Sequence, residues 1–375
     1  MTMYDSSHKK THRLKALVLL ASITSLGLFI DYLLEEPLLP NVNQSEILGF
    51  RSADRSIREY NINISDHIVN TVFSQVKHSA ILSQPLDITY KDVIKYWREK
   101  YDWRTREVYF NQYPQYTTIV QGLQIHFVHV KPETSNKTVP LLMLHGWPES
   151  FAYFYDIVPQ LTSGNGDVSF ELIIPSLPGH FMSDPMKDRT TVHVATLFKN
   201  LMKRLNIDRF YVFGQGVGSF IGTDMAILYP DKVMGLYNTM CLSLRKISLV
   251  KYASETIVNK VINADKSKYD MWKSFNKMVY FLNYMQGNFI SLDSLSITLS
   301  SSPIALASYI WNIISVGTDL EEYNNQLFEY DKFHQIFPTV CPYATLPVSY
   351  KHQSSMFLSQ IYQTNILSRL LDIQG

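Results

Sequence analysis

Phe210-Tyr211-Val212-Phe213-Gly214-Gln215-Gly216-Val217-Gly218-Ser219 is the stretch that decides the fold. Four apolar residues run into three glycines spaced two apart. A helical pattern follows over Phe220–Tyr229, with Ile221, Met225 and Leu228 on one face. That order predicts a buried strand turning sharply into a helix. Such a turn needs glycine on both flanks, because it is strained and its helix packs close to the strand. Gly214 and Gly218 hold those flanks. The residue between them, where an elbow of this kind carries its nucleophile, is Gly216, which has no side chain to attack with. The glycine repeat also admits a second reading, a cradle for a phosphate or dinucleotide. Against it, the usual third-glycine spacing is absent and the motif sits late in the strand series.

Working outward, Leu141–Leu144 and Leu172–Ile174 are continuously apolar, and Val233–Tyr237 is similar. Gln124-Ile125-His126-Phe127-Val128-His129-Val130 alternates polar and apolar, as a half-buried strand does. Val194–Leu205 carries Leu197, Phe198, Leu201, Met202 and Leu205 on one helical face. Short apolar runs separated by helices predict mostly parallel strands covered on both faces, from Tyr116 to about Met240. Before that core, Ile57–Tyr116 is mostly helical in pattern, with Val93, Ile94, Tyr96, Trp97 and Tyr101 at helix-like spacing and Pro114 as its break. After it, Ile247–Tyr309 reads as a helical insert, and Trp311–Gly375 continues that style.

Composition bounds the rest. With 46% hydrophobic and 18% charged residues, the 375-residue chain is globular and not disordered. Its 34 basic and 33 acidic residues leave a net charge of +1, which supplies no basic face for nucleic acid. The 24 Tyr and 20 Phe predict a pocket lined with rings. Cys241 and Cys341 are the two cysteines, and no CxxC pair exists, so neither a metal site nor a cofactor is expected. At the N-terminus, Lys9, Lys10, Arg13 and Lys15 precede an apolar run from Ala16 to Ile30. Asp31 interrupts the run, and Tyr32–Leu34 extends it. The favoured reading is an uncleaved membrane anchor and the rival is a signal peptide, since the run is shorter than the ~20 residues of a full span.

Two turns accompany the glycine stretch. Leu144-His145-Gly146-Trp147-Pro148 ends a strand and exposes backbone N–H groups, which form one side of an oxyanion hole in α/β-hydrolases. Ile174-Pro175-Ser176-Leu177-Pro178-Gly179-His180 is a second turn at the same strand end, with His180 read as a loop residue near the pocket. Together with Tyr96-Trp97-Arg98-Glu99-Lys100-Tyr101-Asp102-Trp103-Arg104, Asn111-Gln112-Tyr113-Pro114-Gln115-Tyr116, His145-Gly146-Trp147-Pro148-Glu149-Ser150-Phe151, Thr223-Asp224-Met225-Ala226 and Leu228-Tyr229-Pro230-Asp231, these stretches resemble the microsomal-type epoxide hydrolases, including the juvenile hormone epoxide hydrolases.

The resemblance implies an α/β-hydrolase fold with a mostly parallel sheet, a helical cap and an N-terminal membrane helix at the endoplasmic reticulum. It divides the chain into 1–36 (basic tail and anchor), 37–116 (linker and family N-terminal region), 117–242 (hydrolase core) and 243–375 (cap). In the family, an aspartate opens a lipophilic epoxide to a covalent ester, a His–acid pair activates water to release a diol, and two lid tyrosines bind the epoxide oxygen. Carried over, the aspartate position is Gly216, the family's tryptophan beside it is Val217, the oxyanion turn is His145, Gly146, Trp147 and Pro148, and the lid tyrosines are Tyr284 and Tyr362. The sequence ends at Gly375, before the strands expected to carry the His and the acid. Ser219, Asp224, His334 and His352 assemble no substitute triad. The expectation is an epoxide-hydrolase-like membrane protein, impaired in catalysis, whose partner is a lipophilic small molecule. The alternatives are a ligand-binding or interaction pseudoenzyme, or a truncated form of an active hydrolase.

Overall fold

Alternation of side chains across the strands builds the core from both faces of one sheet. The structure is a computed structural model, and it describes residues 21–34, 42–52, 54–79, 88–132, 137–147, 149–163, 168–186, 189–240, 250, 299 and 301–317. The chain divides into two compact units, Met1–Pro40 with Leu242–Asn276, and Asn41–Cys241 with Lys277–Gly375. Of the first unit, residues 21–34 are helical, with Ile23, Leu26, Leu28 and Phe29 all exposed. Among the described residues no helix is long and apolar enough to cross a membrane.

In the second unit the strands are β1 (Ile57–Tyr60), β2 (Gln115–Val120), β3 (Leu123–Val130), β4 (Thr138–Leu144), β5 (Ser169–Pro175), β6 (Phe210–Gly214) and β7 (Val233–Asn238), in the order β1-β2-β3-β5-β4-β6-β7. The helices are α1 (Asp66–His78), α2 (Ile88–Glu99), α3 (Trp103–Phe110), α4 (Val158–Thr162), α5 (Thr191–Arg204), α6 (Val217–Leu228) and α7 (Pro303–Gly317). Met143, Leu172 and Ile174 face a cluster with Val72, Trp97, Phe151 and Tyr155. Their neighbours Leu142, Leu144 and Ile173 face the opposite cluster, with Phe198, Leu201, Val212 and Ile221. A period of two with both faces covered is why these strands read as unbroken apolar runs.

Three expectations are corrected. The sheet is mixed and not mostly parallel: β4–β5, β4–β6 and β6–β7 pair in parallel, whereas β1–β2, β2–β3 and β3–β5 are antiparallel. The two residues joining β2 to β3, Gln121 and Gly122, both have positive φ, and a two-residue link of that kind forces an antiparallel hairpin. Ile57–Tyr60, read as part of a helical stretch, is the edge strand β1. A four-residue run is too short for its periodicity to separate helix from strand, and pairing with β2 decides it. Finally, β3 is not half-buried, because His126 is completely buried. Its polarity is satisfied internally, with one ring nitrogen 2.8 Å from Ser176 Oγ and the other 2.8 Å from Gln115 Oε1.

The N-terminal helices are held by local polar contacts. Asp102 caps α3 by accepting from the N–H groups of Arg104 and Thr105. This cap splits the continuous helical pattern of Tyr90–Tyr109 into α2 and α3. Arg98 reaches from α2 to the carbonyls of Val76 and Ser79, at 3.0 and 2.6 Å, and so satisfies the C-terminal end of α1.

Candidate active site

The strand order places one topological switch point in the sheet. From β4 the chain passes to β5 on one side, and β6 then lies on the other side of β4. Ligands of open α/β sheets bind at such a point, beyond the carboxyl ends of the strands. Two turns meet there, His145–Ser150 after β4 and Gln215–Gly216 after β6.

The turn after β6 keeps the shape of a nucleophile elbow. Gly216 has φ +50° and ψ −117°, a conformation that strains any residue with a side chain. Its flanking glycines are required by space. A Cβ on Gly218 would lie 2.2 Å from the carbonyl oxygen of Leu144, and one on Gly214 would lie 2.6 Å from that of Gly218. These contacts let α6 lie directly on β4, which accounts for the glycine repeat without a phosphate. Among the described residues a Cβ on Gly216, by contrast, would meet only Gly146 Cα at 3.3 Å and Trp147 N at 3.9 Å. The middle position is thus less crowded than its flanks, and a side chain there would point at the turn after β4.

Ser219 is no replacement nucleophile. It is fully buried, its hydroxyl donates to the Gly214 carbonyl at 2.7 Å, and it accepts from the Met240 N–H at 3.3 Å. Asp224, further along α6, is raised to about 6 by burial, opposed by a hydrogen bond from Thr191. Val217 buries its side chain in the core. As the first residue of α6, its N–H has no acceptor within the helix and lies at the positive end of the helix dipole.

The turn after β4 is braced by side chains. His145 is fully buried, with Nδ1 2.8 Å from the Gly146 carbonyl, while its Nε2 accepts from the Leu177 N–H at 3.1 Å. Those contacts place the ring proton on Nδ1 and tie the turn to the loop after β5. Burial, together with His180 beside it, pushes His145 well below the ordinary imidazole range. The His180 ring lies 5.0 Å away and is lowered to about 4 by burial. Its Nε2 is buried without a hydrogen-bond partner among the described residues. Trp147 packs edge-on against Tyr309 of α7, ring centroids 6.2 Å apart.

Glu149 is the site residue to which the sequence reading gave no role. Its carboxylate bridges the two turns, accepting from the Gly146 N–H at 3.0 Å and from Gln215 Nε2 at 3.2 Å. Burial raises its pKa, against the lowering effect of those two bonds. The only signal in sequence is an acid three residues after the turn glycine. Pro148, Tyr284 and Tyr362 lie outside the described residues, as do Cys241 and Cys341. Among the described residues no group of His, Cys, Asp or Glu side chains is placed to hold a metal ion.

Known proteins resemble this chain in sequence and fold. A family model described as epoxide hydrolase N terminus matches residues 57–154, and one described as alpha/beta hydrolase fold matches residues 139–247. The chain is 31% identical to juvenile hormone epoxide hydrolase 2 of Ctenocephalides felis over 330 residues, which cover 80% of this chain and 69% of that protein. It is 34% identical to epoxide hydrolase 1 of Sus scrofa over 292 residues, covering 72% of this chain and 64% of that protein. The matches thus span about two thirds of these relatives' length. The crystal structure of juvenile hormone epoxide hydrolase from the silkworm Bombyx mori superposes with a TM-score of 0.72 at 26% identity, over 89% of this chain and 83% of that one.

Proposed function

This chain belongs to the microsomal-type epoxide hydrolase family, and from that premise we propose that it binds a lipophilic epoxide at the β4–β6 switch point without forming the family's covalent ester. One observation carries the reading. The elbow keeps its strained backbone and aims at the Gly146–Trp147 turn, yet position 216 offers a hydrogen atom where a carboxylate must attack. Loss of a nucleophile removes several orders of magnitude in rate, while binding groups elsewhere in the site are untouched. Backbone N–H groups of Trp147 and Val217 supply the oxyanion side, and Pro148 shapes that turn. Tyr284 and Tyr362 donate hydrogen bonds to the epoxide oxygen.

In this reading residues 37–116 form the linker and the family's N-terminal region, 117–242 the hydrolase core and 243–375 the family's cap region. Residues 1–36 hold the protein at the endoplasmic reticulum membrane, where lipophilic epoxides partition. The basic tail and the exposed apolar side chains of 21–34 support that placement.

The test uses the purified full chain and a lipophilic terpenoid epoxide. Saturable quenching of tryptophan fluorescence, with no protein adduct after acid quench, is the expected result. Accumulation of an ester adduct on the native chain refutes the reading.

A further inference from the structure

Glu149 is a half-buried carboxylate at the switch point that the family's covalent chemistry, as set out above, leaves unused. It lies beside Gly146, the glycine that the middle of the elbow faces. A Cβ on Gly146 would lie 2.9 Å from Glu149 Oε2 and 3.3 Å from Gly216 Cα, so the carboxylate and the elbow approach the same glycine. Yet no Glu149 atom comes within 4 Å of a Cβ built on Gly216. The carboxylate therefore lies beside the elbow without touching the place where an attacking side chain would project. Each carboxylate oxygen spends one acceptor site, on the Gly146 N–H and on Gln215, and about two more remain.

We propose that Glu149 is a general base for direct attack of water on an epoxide bound over Gly216, giving the diol in one step. This inference rests on the ligand-binding reading above. A water O–H gives its proton to the Glu149 carboxylate as its oxygen bonds to an epoxide carbon. The C–O bond of the ring breaks, and its electron pair stays on the epoxide oxygen, which takes a proton from solvent. Glu149 then returns its proton to solvent, so epoxide and water are consumed and one diol is formed. No ester is needed and no other reactant enters.

The surroundings suit a base. Burial raises Glu149, which brings its proton affinity closer to neutral pH, where a base works best. Tyr153, an ionisable side chain that interacts with it, is itself raised by burial and stays neutral. His145 on the same turn and His180 beside it are held neutral by burial, so neither adds a charge that would titrate with the base.

The experiment follows diol formation by excess protein in ¹⁸O-water, with epoxide binding measured in parallel by tryptophan fluorescence. The native chain is expected to form diol slowly, above the buffer rate, with one ¹⁸O in each diol from the first turnover. The rate should rise with pH as Glu149 ionises. Glu149→Gln should lower it by about 10²-fold while binding persists, because a positioned base contributes about 10²–10⁴-fold. Glu149→Asp, which keeps a carboxylate one methylene shorter, should restore part of the rate and the pH dependence. Binding without diol overturns the inference and leaves the binding reading standing. Diol formation equal in native and Glu149→Gln chains, or first-turnover oxygen drawn from the protein, also overturns it. Absence of binding overturns both.

Discussion

The two turns that face each other across the switch point keep their shape by opposite means. The turn after β4 is held by side chains: His145 reaches Leu177, and Glu149 reaches Gln215. The turn after β6, which contributes Gln215 to that bond, owes its close packing to the lack of side chains at its flanks, since Gly214 and Gly218 let α6 touch β4. One turn is therefore sensitive to proton binding and polar substitution, and the other to volume. The contrast also separates shape from chemistry. The elbow's strain and close packing persist although the atom group they would serve is missing, so the backbone of the site is maintained by contacts that do not involve the nucleophile.

Adding volume should break the second turn most severely. Gly218→Ala places a methyl 2.2 Å from the Leu144 carbonyl oxygen, which is backbone and cannot yield. A loss of about 3 kcal/mol or more, or failure to fold, is expected in urea unfolding. A variant as stable as the native chain would contradict the packing described for α6.

Acid should break the first turn. Burial lowers His126 to about 3 and His180 to about 4, and it holds His145 well below the ordinary imidazole range. Each is neutral when folded, whereas the unfolded chain protonates near the ordinary value of 6.5. The unfolded state thus binds more protons as pH falls through 6.5, and stability declines, at ~1.4 kcal/mol per pH unit for each histidine. Asp224, raised to about 6, and Glu149, also raised, take up protons first in the folded state and offset part of this. A net loss on the order of 2 kcal/mol per pH unit between about pH 6 and 4 should appear in thermal melts at stepped pH. His145→Leu should flatten that slope by about one proton. It should cost about 2–3 kcal/mol at neutral pH, because the Leu177 N–H and the Gly146 carbonyl lose their partner. An unchanged slope would mean that His145 is not buried neutral.

Gly216→Ala should be the mildest of these changes. Its methyl would meet Gly146 Cα at 3.3 Å, which asks the facing turn to shift by only a few tenths of an ångström, so the main cost is that of a non-glycine residue at φ +50°, about 1–3 kcal/mol. A loss matching that of Gly218→Ala would erase the distinction between the middle and the flanks of the elbow.

Much of this was legible in the sequence wherever an element declares itself locally. Apolar runs at Leu141–Leu144 and Leu172–Ile174 announced strands buried on both faces, and the glycine spacing announced the elbow with its empty middle. What was not legible depends on partners far away in the chain. Ile57–Tyr60 becomes a strand only through pairing with β2, and His126 is polar yet buried because Ser176 and Gln115 meet it from two other positions. Glu149 was quoted within a matching motif, but its bridge to Gln215 spans 66 residues, and no local pattern encodes it.

Intact-mass spectrometry of the Gly216→Asp variant tests the central claim most directly. After incubation with a lipophilic epoxide, the folded variant should gain the mass of one epoxide as an ester, or release diol through it, while the native chain gains no mass. An adduct on the native chain, or a folded variant that binds the epoxide yet forms neither ester nor diol, would contradict the account of an intact elbow lacking only its side chain.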